Sequence, residues 1–121
     1  MAAAAIQPIQ HNRNFIFPVQ KEVLAWHLLV PLEGKLLLDD NGRLRVMGDL
    51  ILWPYGYSLK TEGKKIWVID DKGQRTVRVG DRIRLTGVNI SYYTFEEKHG
   101  HPLPLYCEGP YFMVGSIDNN N

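Results

Sequence analysis

The chain has 121 residues, of which 45% are hydrophobic and 22% charged, with a formal net charge of +1; that is enough for one globular domain with its own core. This balance excludes a protein built mainly to coat nucleic acid, which needs a strongly basic domain. One cysteine, Cys107, excludes an intrachain disulfide, and apolar runs such as Leu28 to Leu32 are too short to span a bilayer.

The charge is unevenly spread. Residues 60–84 hold eight Lys/Arg against four acids, whereas residues 96–121 hold Lys98 against Glu96, Glu97, Glu108 and Asp118. A basic middle is thus followed by an acidic end. Met1 to Gln10 lacks the basic start and long apolar centre of a signal peptide. A lone cysteine fits a reducing compartment, so the expectation is cytoplasmic if the chain is complete and exported if a leader has been removed.

Residues 1–18, with Pro8, Pro18 and scattered Asn and Gln, read as an N-terminal arm whose Phe15 to Phe17 docks on the body. Residues 19–118 read as a single β domain and 119–121 as a disordered tail. Lys21 to Leu29 fits a helical stripe (Val23, Trp26, Val30, with Leu24 and Leu28) and equally a strand; Pro31 ends it either way. From Glu33 the signals are strands and tight turns. Lys35 to Leu38 and Leu44 to Val46 flank Asp39-Asp40-Asn41-Gly42 as a hairpin, and Gly48-Asp49 turns into Leu50 to Trp53. The stretch Leu52-Trp53-Pro54-Tyr55-Gly56-Tyr57-Ser58-Leu59 follows, then a turn at Thr61 to Lys64. Lys65 to Ile69 and Gln74 to Val79 flank Asp70-Asp71-Lys72-Gly73, and Gly80-Asp81 leads into a long strand from Arg82 to Tyr93. Clean alternation in Arg75 to Val79 and Arg82 to Leu85 gives each one buried and one wet face. Residues 96–110 read as a polar loop and Pro110 to Ile117 as the last strand.

Six to seven short strands with little helix predict an all-β fold, a small antiparallel β-barrel of OB-like character; an SH3-like barrel or a short sandwich is the alternative.

Three chemistries compete with structural readings. His99, His101 and Cys107 lie within nine positions, but zinc sites take three or four ligands and favour paired spacings, so two solvated histidines in a loop is the preferred reading. Cys107 with a histidine base would make a nucleophile, yet no third group orients the pair, and a free cysteine is most often a small buried hydrophobe. Asp39-Asp40 and Asp70-Asp71 precede turn glycines, where Asp serves the backbone. No enzyme and no cofactor are expected. For single-stranded nucleic acid, Arg78, Arg82 and Arg84 would supply charge and the aromatics stacking faces; the competing reading is the wet face of an antiparallel sheet.

The favoured function is a non-enzymatic binding module with an aromatic surface of Trp53, Tyr55, Tyr57, Tyr92, Tyr93 and Tyr111, suited to a protein or saccharide partner. Within it Trp53 is expected in the core. "LWPYGYSL" and Cys107-Glu108-Gly109-Pro110-Tyr111-Phe112 read either as a shared surface meeting at one end of the barrel or, equally, as rigid corners packing aromatics over its mouth.

Four motifs in order, Leu32-Glu33-Gly34-Lys35-Leu36 with Asn41-Gly42-Arg43-Leu44-Arg45, Leu52 to Tyr57, Val79 to Gly87, and Cys107 to Tyr111, resemble a family of small bacterial β-barrel proteins, often exported or lipid-anchored. The resemblance covers about residues 32–117. Members tend to carry a cysteine where this chain has Arg43 and another matching Cys107, a pair that would suit a disulfide and is absent here. The family has no assigned activity, so the resemblance implies a fold and not a function.

Overall fold

In the computed structural model, which describes residues 15–23, 29–103 and 107–118, eight strands and one helix are formed. Strand β1 (Val30–Leu38) turns into β2 (Leu44–Val46), and Asp39 holds the turn by accepting the backbone N–H groups of Asn41 and Arg43 at 2.9 Å each. Its other oxygen accepts from Arg45 Nε at 2.8 Å. Burial pushes the Asp39 pKa up, but the Arg45 hydrogen bond and the two backbone donors outweigh it and hold the carboxyl below its ordinary range. A two-residue turn at Met47-Gly48, both at positive φ, leads into β3 (Asp49–Leu52).

Strands β4 (Ser58–Glu62), β5 (Lys65–Ile69) and β6 (Arg75–Arg78) then form a separate antiparallel meander. The chain rejoins the first sheet as β7 (Arg82–Ile90), passes through helix α1 (Tyr92–His99) and ends in β8 (Tyr111–Asp118). The first sheet closes on itself in the order β1-β2-β3-β8-β7, with β7 pairing back to β1. The expected small barrel is therefore present, with one departure from antiparallel pairing: β3 runs parallel to β8, Leu50 beside Tyr111 and Leu52 beside Met113.

Several boundaries differ from the sequence reading: β1 begins at Val30 and runs through Pro31, pairing with Thr86, where the sequence reading placed an end. The strand expected to reach Tyr93 stops at Ile90, because Ser91 caps α1 and its hydroxyl accepts the Thr94 N–H at 3.2 Å. Gly100, in the left-handed region, ends the helix, so the supposed loop from residue 96 begins as helix. Strand β4 occupies residues read as loop and turn. Of the ambiguous segment, Leu24 to Leu28 lie outside the described residues, as do residues 1–14 of the arm and 119–121 of the tail.

The closing pair is covered on both faces. Ile51, Phe112 and Val114 enter the barrel core with Leu36, Val46 and Leu85, and Val68 and Val77 of the meander join them. Leu50, Leu52, Tyr111 and Met113 point outward and are covered by Phe95 of α1 and Cys107. This double burial explains why Leu50 to Trp53 and Tyr111 to Val114 are unbroken apolar runs, while β7 alternates.

Beyond Leu52 and Met113 the two strands part, and the arm enters the split. Trp53 N–H donates to Pro18 O at 3.0 Å and Gln20 N–H to Trp53 O at 2.8 Å. The Gln20 side chain, 3% exposed, donates from Nε2 to Val114 O at 2.7 Å and to Leu52 O at 3.4 Å. Further along, Lys21 N–H donates to Lys98 O at 2.8 Å, tying the arm to the last turn of α1.

Gln20→Leu should therefore lower stability by about 1–3 kcal/mol, the cost of leaving buried carbonyls unsatisfied, read by urea unfolding. On the other side of β8, Thr86 pairs with Ser116 and Gly87 with Val114, so Gly115 is a bulge, and a Cβ on Gly87 would fall onto the Met113 carbonyl. Gly87→Ala is expected to cost about 3 kcal/mol or more, and a melt matching the parent would refute that close approach.

Candidate binding groove

The six aromatics proposed from sequence divide into three places. Trp53 is fully buried and stacks on Phe17, ring centroids 5.1 Å apart at 17°, with its indole N–H lacking a partner among the described residues. It is core. Tyr111 is 9% exposed, packs on Phe95 at 4.9 Å and donates its hydroxyl to Cys107 O at 2.9 Å. Tyr92 lies 6.1 Å from that ring and donates to the Glu96 carboxylate at 2.6 Å, a bond that pushes the Tyr92 pKa up. Tyr93, on the same helix, is largely in solvent.

Tyr55 and Tyr57 lie elsewhere, because β3 and β8 are parallel. Tyr111 is level with Leu50, at the start of β3, whereas Tyr55 and Tyr57 follow its end and sit by Val114 to Ile117. "LWPYGYSL" and "CEGPYF" are thus neighbours that present their tyrosines at opposite ends, and not at one common end.

Between the loop after β3 and the far half of β8 runs a groove of about 340 Å³, with Pro54, Tyr55 and Tyr57 on one side and Gly115, Ser116 and Ile117 on the other. Tyr55 is 53% exposed and Tyr57 half-buried. Gly56 joins them at φ 85°, and a Cβ there would stand 2.9 Å from the Asp71 Cβ, so only glycine lets the loop rest on Asp71. Burial pushes the Tyr57 pKa up, and the charges of Asp70 and Asp71 add to it. Asp70 is engaged in its turn, accepting the N–H groups of Lys72 and Gln74 at 2.9 Å. Asp71 is exposed and has no hydrogen bond or ion pair among the described residues.

The proposed nucleic-acid arginines do not form one bare basic strip. Arg82 and Arg84 both reach Glu33, at 3.9 and 3.7 Å, Arg84 also reaches Asp118 at 3.9 Å, and Arg78 lies 3.5 Å from Asp81. Sequence reasoning missed Trp67, which lies on the outer face of the meander with the Arg75 guanidinium 4.8 Å and that of Arg78 5.9 Å from its ring centroid. Arg75 is itself held by both Glu62 oxygens, at 2.7 and 2.6 Å. The signal available was the alternation Lys65-Ile66-Trp67-Val68, which puts Trp67 on the face opposite core Val68.

His99 and His101 do come together, rings edge to face at 5.5 Å, while Cys107 is buried beneath α1. Among the described residues no three His, Cys, Asp or Glu side chains gather where they could hold a metal. Nor is any helix there long and apolar enough to cross a membrane. Compared with known protein families, curated proteins and solved structures, the chain matches none.

The two groove tyrosines differ in structural duty, since Tyr57 packs against the barrel core and Tyr55 does not. Tyr55→Ala should change stability by less than about 0.5 kcal/mol and Tyr57→Ala should lower it by about 1–3 kcal/mol, both read from urea midpoints.

Proposed function

We propose that the protein is a non-enzymatic binding module, an OB-like barrel that takes a cationic group of its partner into the Tyr55–Tyr57 groove. The barrel assignment draws on the ring order β1-β2-β3-β8-β7 with its one parallel closure. The observation that carries the functional reading is the Asp71 carboxylate, unpaired among the described residues, beside two tyrosine rings in a groove of ligand size. Aromatic faces attract cations through their quadrupole, and an adjacent carboxylate adds a charge that no described group already neutralises. Proline, phenol rings and strand backbone complete a lining suited to contact. By contrast, each arginine of the nucleic-acid alternative already faces an acid, which weakens that reading.

The test is a titration with Nα-acetyl-lysine methylamide, followed by NMR of the tyrosine rings. Binding with a dissociation constant on the order of millimolar is expected, with shifts centred on Tyr55 and Tyr57. The Nε-acetylated compound, which lacks the charge, should not bind, and Asp71→Asn should weaken the charged probe by about threefold or more. Equal binding of charged and neutral probes would overturn the proposal.

A further inference from the structure

Strand β8 has two long sides, and among the described residues only one is fully paired. β7 runs beside it from Tyr111 to Asp118, whereas β3 accompanies it only from Tyr111 to Met113. At Val114 the carbonyl on the β3 side is taken by the Gln20 side-chain amide. Gln20 thus does for one residue what a neighbouring strand does for many. Past that point no strand pairs with Gly115 to Asp118 on this side among the described residues. The free edge is one wall of the Tyr55–Tyr57 groove.

We propose that an extended peptide segment of a partner protein, carrying lysine or arginine, adds to β8 along Gly115–Asp118 and sets a cationic side chain between the tyrosines and Asp71. This rests on the reading of the groove as a cation site. Four residues of strand run about 13 Å, so the edge matches about four residues of an added strand. Backbone hydrogen bonds to the edge give such a complex its affinity, and alternate side chains its specificity. Charge complementarity selects the partner. Among the described residues, Asp71 is the one charged residue lining the groove. An acidic segment would meet the Asp71 carboxylate, whereas a basic one would neutralise it. The bulge at Gly115 turns the edge locally and leaves one residue of it without a side chain.

The probe is acetyl-(Thr-Lys)₅-amide, compared with acetyl-(Thr-Glu)₅-amide and with (Thr-Lys)₅ peptides N-methylated on every threonine or on every lysine. Binding to ¹⁵N-labelled protein should perturb the amides of Gly115 to Asp118 and slow their hydrogen exchange. The lysine peptide is expected to bind at least tenfold more tightly than Nα-acetyl-lysine methylamide, the glutamate peptide not at all, and one N-methylated peptide to lose that tenfold gain. If the peptide binds no better than the single lysine compound, or leaves these amides unmoved, the edge proposal falls while the groove reading stands. If neither probe binds, the groove reading fails and takes the edge with it. A concentration-dependent dimer that protects these amides without peptide would assign the edge to a second copy and overturn the proposal.

Discussion

The parallel pairing of β3 with β8 is the constraint on which the rest of the molecule depends. Every other pairing in the ring is antiparallel. This one joins Leu50 to Tyr111, 61 positions later in the chain, and without it the sheet has two open ends. It requires cover on both faces, so the barrel core and the α1 cluster lie on either side of the same two strands. It is also short, and where it ends the buried Gln20 amide takes over, accepted by one carbonyl from each strand. The arm is therefore part of the barrel wall from Pro18 to Gln20 and not an appendage to it.

The meander is the second consequence of that topology. It occupies the interval between β3 and β7, so its loops and its outer face project from the ring while Val68 and Val77 still reach the shared core. The turn at Asp70 to Gly73 is what brings Asp71 against Gly56. One wall of the groove thus comes from the ring, another from the loop leaving it, and the carboxylate from the inserted sheet.

Local chemistry was legible in the sequence; long-range geometry was not. The hairpin at Asp39 to Gly42 and the turn at Asp70 to Gly73 are written in carboxylates that cap their own backbone. The alternation of β7 is equally plain, buried at Ile83 and Leu85 and exposed at Arg82 and Arg84. The parallel closure has no turn to announce it, and its only trace is two unbroken apolar runs. Helix α1 was hidden because Tyr92, Tyr93 and Thr94 are strand formers, and the single Ser91 cap outweighs them. At the site, Tyr55 and Tyr57 stood out by composition. Asp71 read as a turn residue like Asp70, and only the fold shows that one aspartate serves the turn while the other faces the groove. Gln20 sits in a stretch without periodicity, so nothing local marks it as buried.

The half-paired strand also bears on how the molecule keeps to itself. An open strand edge is a template for a second copy of the same chain, the route by which sheets zip into aggregates. Two copies meeting edge to edge about a twofold axis would each bring the Asp71 carboxylate beside the shared edge, with no basic residue lining the groove among the described residues to offset it. Like charge thus disfavours self-pairing at the place where the barrel wall is incomplete.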